Sequence, residues 1–216
     1  MPDPNPQPDT NHQLTTITLA EEPHAWRAAG FDVDDEARLQ LGRTVLVLAG
    51  TDAAGGWAID GVQDPIDGLP TCATVPAEHD VTPQPNGVTS IDHVVVLTGD
   101  NDRTVAAFEA AGFDVRGRRH TTNYGDAQRQ TFFWAGDVII ELVGPDEGAP
   151  THDQPTAIFG LALAAADLDR TVEELGTLLG TPKEAVQPGR RIAGLRGSKV
   201  GIHLPVAIMS HHVRGA

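Results

Sequence analysis

Few side chains in this sequence stand where they could do chemistry. Glu141 sits between Ile140 and Leu142 of an apolar run, where a bare carboxylate is costly unless it is paired or coordinated. His93 lies inside the β-branched run Ile91–Thr98, IDHVVVLT. An imidazole and a carboxylate are donor types that suit a borderline divalent ion. The same residues would serve equally as a hydrogen-bonded core histidine and a glutamate paired to an arginine. Arg116, Arg118, Arg119 and His120 crowd one short segment of an otherwise acidic chain. Alternation along an extended strand puts Arg118 and His120 on one face and Arg119 on the other. One of them could grip a carboxylate or phosphate through forked donors, or the group could be surface charge paired with nearby Asp and Glu. Tyr124, Phe132 and Trp134 are aromatics able to wall an apolar pocket, Phe132 and Trp134 sharing a strand face that excludes Phe133. By the same alternation His93 groups with Ile91 and Val95, and Glu141 with Asp137 and Ile139.

Composition bounds what these residues can be for. The chain has 216 residues, 40% hydrophobic and 21% charged, which is ordinary for one large or two small globular domains. Its net charge of −15 argues against nucleic acid or anionic membranes as partners, although local arginines can still attract an anionic small molecule. The lone cysteine, Cys72, excludes an internal disulfide framework and a Cys-based zinc cluster. No Gly-rich phosphate loop, G-x-S-x-G elbow or H-E-x-x-H pair is present. No apolar run is long enough for a transmembrane helix, and the N-terminus lacks the layout of a signal peptide, so a cytoplasmic location is expected. Residues 1–11, rich in Pro, Asp and Asn, read as a disordered tail.

The elements that must position the candidate residues repeat along the chain. Ala28–Val33 and Ala110–Val115 are the same hexapeptide, AAGFDV, and Asp102–Val105 and Asp169–Val172 the same tetrapeptide, DRTV. Around the middle copies the order is β-α-β-β-β: a strand at Ile91–Thr98, a helix from about Asp102 to Ala111 stopped by Gly112, an extended segment Phe113–Thr121, and strands Arg129–Trp134 and Asp137–Val143. The last unit repeats that order, with a strand Ile158–Ala164, a helix Leu168–Leu179 and strands Arg191–Arg196 and Lys199–Ile208. An eroded first copy has strands Leu14–Leu19, Arg38–Leu41 and Thr44–Ala49, a helix His24–Ala29 and a further strand within Gly55–Val62. The expected layout is a degenerate module at 12–62, a Pro-rich linker at 63–87 and complete modules at 88–146 and 156–210, in the α+β class.

Paired β-α-β-β-β units with a His in the first strand and a Glu in the last resemble the vicinal oxygen chelate superfamily, which includes glyoxalase, bleomycin-resistance and extradiol-dioxygenase proteins. The resemblance rests on IDHVVV at 91–96, the helix ending at Gly112, QTFFWAGDVIIELVGP at 130–145, GRRIAGLR at 189–196 and LPVAIMS at 204–210. It covers residues 88–210 well and 12–62 weakly, and is nearest to uncharacterised glyoxalase-like proteins. It implies curved mixed sheets whose first and last strands line one concave site.

On that resemblance the middle unit offers His93 and Glu141 as metal ligands. In the last unit Gly160 replaces the first ligand, and aligning Val138 with Val200 puts His203 at the second. The superfamily's four-ligand pattern is therefore reduced to His93, Glu141 and His203, three ligands for Zn, Fe, Mn, Ni or Co. In the first unit Thr16 and Val47 occupy the two positions and give no useful ligand. The implied function is a metal-dependent enzyme, of lyase, isomerase or dioxygenase type, acting on a small oxygenated substrate. Glu141 would be its ligand or general base, and Arg118, His120, Tyr124, Phe132 and Trp134 its substrate contacts. The alternative is a metal-free protein that binds or sequesters a small molecule, as bleomycin-resistance proteins do. Three modules, an odd number, also raise the expectation of a homodimer.

Overall fold

The computed structural model describes residues 12–78, 83–122, 127–149, 151 and 153–211. Residues 1–11, expected as a tail, and Tyr124, expected at the site, lie outside that set. The first unit runs β1 (Leu14–Leu19), α1 (Pro23–Ala28), β2 (Arg38–Leu41), β3 (Thr44–Leu48) and β4 (Gly56–Ile59). The second runs β5 (Val88–Leu97), α2 (Asn101–Ala110), β6 (Gly117–Thr121), β7 (Gln128–Ala135) and β8 (Val138–Pro145). The third runs β9 (Ala157–Ala165), α3 (Leu168–Leu175), β10 (Lys183–Glu184), β11 (Arg191–Gly194) and β12 (Val206–Ser210). The fold is α+β, built on curled mixed sheets.

The second and third units join into one eight-stranded sheet, ordered β10-β11-β12-β9-β5-β8-β7-β6. Within each unit the first strand lies parallel to the last, β5 against β8 and β9 against β12, and the units meet where β5 and β9 run antiparallel. The first unit forms a separate sheet, β2-β3-β1-β4, with β1 and β3 parallel and β4 antiparallel to β1.

The repeated peptides turn out to be helix boundaries. Asp100 and Asp167 cap α2 and α3 by accepting backbone N–H groups of the first turn, and the DRTV copies fill that turn. The AAGFDV copies are helix stops. Gly30 and Gly112 take φ of +75° and +93°, and the N–H of the following Phe31 and Phe113 reaches back to Trp26 and Phe108 carbonyls. Both phenylalanines are buried, as the hydrophobic partner of such a stop should be.

Two expected elements differ. The helix of the third unit ends at Leu175 and tightens into a 3-10 turn, Gly176–Leu178. The expected strand Lys199–Ile208 is interrupted over its first half. A 3-10 turn spans Gly197–Lys199, Gly201 takes φ of +91°, and Pro205 has no N–H for a ladder, so β12 begins only at Val206. Val200, Ile202 and Leu204 alternate as a strand would, yet Ile202 is buried through a turn.

Segment 63–78 lies against the first sheet. The Val75 N–H donates to Thr16 Oγ1 at 2.8 Å and the Glu78 N–H to Gln40 Oε1 at 2.8 Å. The Asp67 carboxylate is held by Arg103, Thr104 and Thr156, which ties the segment to α2. Aromatic packing joins the first and second units: Phe108 of α2 stacks on Phe133 at 4.5 Å between ring centroids and meets Phe113 at 5.4 Å and Trp57 at 6.0 Å, each edge-on. Phe108 is fully buried, so Phe108→Ala should destabilise the whole fold by about 3–5 kcal/mol in urea denaturation. A loss below about 1 kcal/mol would contradict this packing.

Candidate functional site

The helices cover one face of the eight-stranded sheet, and the polar candidates lie on the other, the face that the superfamily resemblance implies to be concave. Strand register assembles that face row by row. Trp134, Ile139 and His93 are successive partners across β7, β8 and β5. Gly117, Phe132, Glu141 and Val95 form the next row, and Arg119, Gln130 and Val143 a third. Their neighbours Val94, Val96, Phe133, Ile140 and Leu142 go into the helix-packed core.

A chain of polar contacts crosses these rows. Arg119 Nε donates to Gln130 Oε1 at 2.6 Å, and Gln130 Nε2 donates to Glu141 Oε1. The other Glu141 oxygen, Oε2, is 3.4 Å from His93 Nε2. On its far side His93 Nδ1 meets Asp92 Oδ2 at 3.0 Å, and Asp92 Oδ1 accepts from Arg190, whose guanidinium also donates to the Ser210 carbonyl. The Asp92, His93 and Glu141 side chains are only 13%, 14% and 10% exposed. Two surface hollows, of 420 and 370 Å³, lie elsewhere, against segment 74–78 and beside His120, and neither contains His93 or Glu141.

Asp92 reaches this face through a bulge. Ile91 pairs with Leu163 and His93 with Ala162, so β5 carries one residue more than β9 between those rungs. Strict alternation, which groups His93 with Ile91, fails here: Ile91 is buried in the core, while Asp92 and His93 both stand in the polar chain. Burial pushes the Asp92 carboxyl up, but hydrogen bonds from His93 and Arg190, with their charges, outweigh it and hold the group at about 2.

Asp92 points the imidazole. A His93 ring that gives its Nδ1 proton to Asp92 turns Nε2 toward Glu141. Nε2 and Glu141 Oε2 thus face one another at 3.4 Å, a gap that a shared proton or a cation would bridge.

The other expected site residues separate into two groups. Phe132 and Trp134 share the concave face with Glu141, half-buried. Arg118 and His120 do not. Register puts them opposite Thr131 and Arg129, on the other face of β6, where both are exposed and His120 pairs with Asp146. Gln130 and Asp92 were not singled out by the sequence, whereas Arg119 was among the crowded arginines named there. Gln130 was legible, since it alternates with Phe132 and Trp134, and Arg119 follows from pairing β6 with β7. The bulge that brings in Asp92 left no mark in the sequence.

His203 is not part of the site. It is exposed in the loop before β12, and its backbone N–H donates to the buried carboxylate of Glu21. Superposing the DRTV helix starts gives His93 the counterpart Gly160 and Val95 the counterpart Ala162. Val95 pairs with Glu141, and Ala162 pairs with Ala207, so Ala207 takes the glutamate's position. An added Cβ on Gly160 would lie 2.7 Å from the Pro205 carbonyl, so no side chain fits there. In the first unit Thr18 pairs with Val47 as Val95 does with Glu141, which leaves Thr16 and Val47 at the donor positions. Of the four donor positions in the second and third units, then, only the two of the second unit carry donors, His93 and Glu141, and no cluster of three His, Cys, Asp or Glu side chains suited to a metal is present among the described residues. Catalytic zinc commonly takes three protein ligands, and this face supplies two among the described residues.

A family model described as a glyoxalase-like domain matches residues 91–206. No curated protein matches. Among solved structures, a halotolerant catechol dioxygenase, BphC, superposes with a TM-score of 0.56 at 11% identity, covering 93% of this chain and 86% of its own. A catechol 2,3-dioxygenase superposes with 0.53 at 14% identity, covering 92% and 88%. Methylmalonyl-CoA epimerase from Mycobacterium tuberculosis matches with 0.44 at 18% identity, over 57% of this chain and 89% of its own. At these identities the likeness is one of fold. Among the described residues no helix is long and apolar enough to cross a membrane.

Two outcomes follow from the site. The depressed Asp92 carboxyl contributes about 2 kcal/mol above the ordinary carboxylate pKa, a contribution lost as pH falls from about 4 to about 2. The stability gap between wild type and Asp92→Asn, read by denaturation at pH 7 and pH 3, should therefore shrink at the lower pH; a constant gap would contradict the ion pair. His203→Ala should change stability by no more than about 0.5 kcal/mol, whereas Glu21→Gln, which weakens a buried acceptor, should cost about 1–3 kcal/mol. The reverse ranking would restore a role for the His203 ring.

Proposed function

Because the chain belongs to the glyoxalase-like domain family of the vicinal oxygen chelate superfamily, we propose that its concave sheet face binds a small oxygenated molecule, with the His93–Glu141 pair as the polar centre and no resident metal. The observation that carries this reading is the lone donor pair. His93 Nε2 and Glu141 Oε2 converge at 3.4 Å, while the matching positions of the third unit hold Gly160 and Ala207. A ligand hydroxyl or carbonyl oxygen arriving there meets a hydrogen-bond donor and an acceptor side by side. Phe132 and Trp134 give its apolar body a wall, as small-molecule sites commonly do. Gln130 holds one Glu141 oxygen and Asp92 holds His93, so the pair is fixed before a ligand comes. The same pair can pass one proton to or from a bound ligand, which leaves room for acid–base chemistry on this face.

A second reading is a metal-dependent enzyme in which substrate oxygens complete the coordination sphere. One observation favours it: donors bonded to one tetrahedral ion at about 2.1 Å lie about 3.4 Å apart, the separation seen here. Elemental analysis of tag-free protein, with titration of Zn, Mn, Fe, Co and Ni ions into wild type, His93→Ala and Glu141→Gln, separates the two. The proposal expects far less than one bound ion per chain and no saturable uptake that depends on either residue. Near-stoichiometric metal, lost in both variants, would put the second reading in its place.

A further inference from the structure

Arg119 stands apart from the other arginines that the sheet holds in place. Arg129 is bound to Asn101 and Asp102, Arg190 to Asp92 and Ser210, and Arg191 to Asp169. Arg119 spends only Nε, on Gln130. Its two terminal nitrogens have no partner among the described residues, in a chain with 30 Asp and Glu. Arg119 is half-buried and shares the face of Glu141, and the Nε contact fixes the plane of its guanidinium. An oriented fork of unspent N–H donors matches the two oxygens of a carboxylate.

We infer that the ligand of this face is a monocarboxylate bearing a hydroxyl or carbonyl oxygen, and that Arg119 reads the carboxylate while His93 and Glu141 read the oxygen. The inference rests on the concave face being a ligand site, as proposed above. One amide, that of Gln130, spans the gap between the two polar ends, and so sets the length of the molecule between them. Phe132, one row from Arg119 and the register partner of Glu141, lies under the apolar part between them. The acid is thereby preferred over its ester or amide, a discrimination that a wholly apolar pocket would not make. Gln130 serves as a positioning residue: it joins the two polar ends by donating to Glu141 and accepting from Arg119.

The test uses 4-(hydroxymethyl)benzoate and its methyl ester, titrated in chelator-treated buffer into the full chain, into Arg119→Gln and Arg119→Lys, and into His93→Ala. Binding is read by calorimetry and by the ring resonances of His93. The acid should bind at least tenfold more tightly than the ester. Arg119→Gln should remove that preference, Arg119→Lys should keep part of it, and both variants should still bind the ester. Ester binding retained by Arg119→Gln shows that this variant is folded. If acid and ester bind alike, and His93→Ala weakens both, the role of Arg119 falls and the ligand site stands. If neither compound shifts the His93 resonances of the wild type, the ligand site falls and the inference falls with it.

Discussion

The site depends on one imidazole held between two carboxylates. His93 has Asp92 on one ring nitrogen and Glu141 on the other, and all three side chains are largely withdrawn from water. Taken singly, each buried carboxylate is a liability, because removing a charge from water costs more than a weak partner returns. Arg190 compensates Asp92, and the Gln130 amide satisfies half of Glu141. The remaining half of Glu141 faces the His93 nitrogen, and that is the one contact whose character a bound molecule can change.

The fold supplies this arrangement through pairing geometry. Parallel β5 and β8 put Glu141 beside Val95, two residues beyond His93 and next to it on the same face, so the two side chains approach diagonally. The bulge on β5 adds Asp92 to the same face, and the antiparallel seam with β9 brings the third unit alongside. That unit could have carried a matching donor pair. Instead it packs Gly160 against the Pro205 carbonyl and places Ala207 opposite Ala162, which closes the seam with small residues. What two equal modules would have shared, a single module holds.

The architecture was legible because its signals are local. Asp caps, Gly helix stops and β-branched runs recur in register, and the superfamily resemblance follows from their order. His93 and Glu141 were legible because a titratable group inside an apolar strand stands out. His203 misled because alternating apolar residues imitate a strand, while Gly197, Gly201 and Pro205 turn the backbone before β12 can form. Arg118 was chosen over Arg119 because parity along an isolated strand does not say which face is concave. Only the pairing of Arg119 with Gln130 puts it on the face of Glu141. Asp92 was hidden for a related reason: a single inserted residue reverses parity, and nothing in the composition of a β-branched run records it.

The central claim is that the charge between His93 and Glu141 is not that of a resident ion. Anomalous diffraction from crystals soaked in manganese or zinc tests this most directly. The account expects no anomalous peak between the two side chains, with Nε2 and Oε2 still facing each other across an unbridged gap. A peak within bonding distance of both atoms would contradict it and make the pair half of a working metal site.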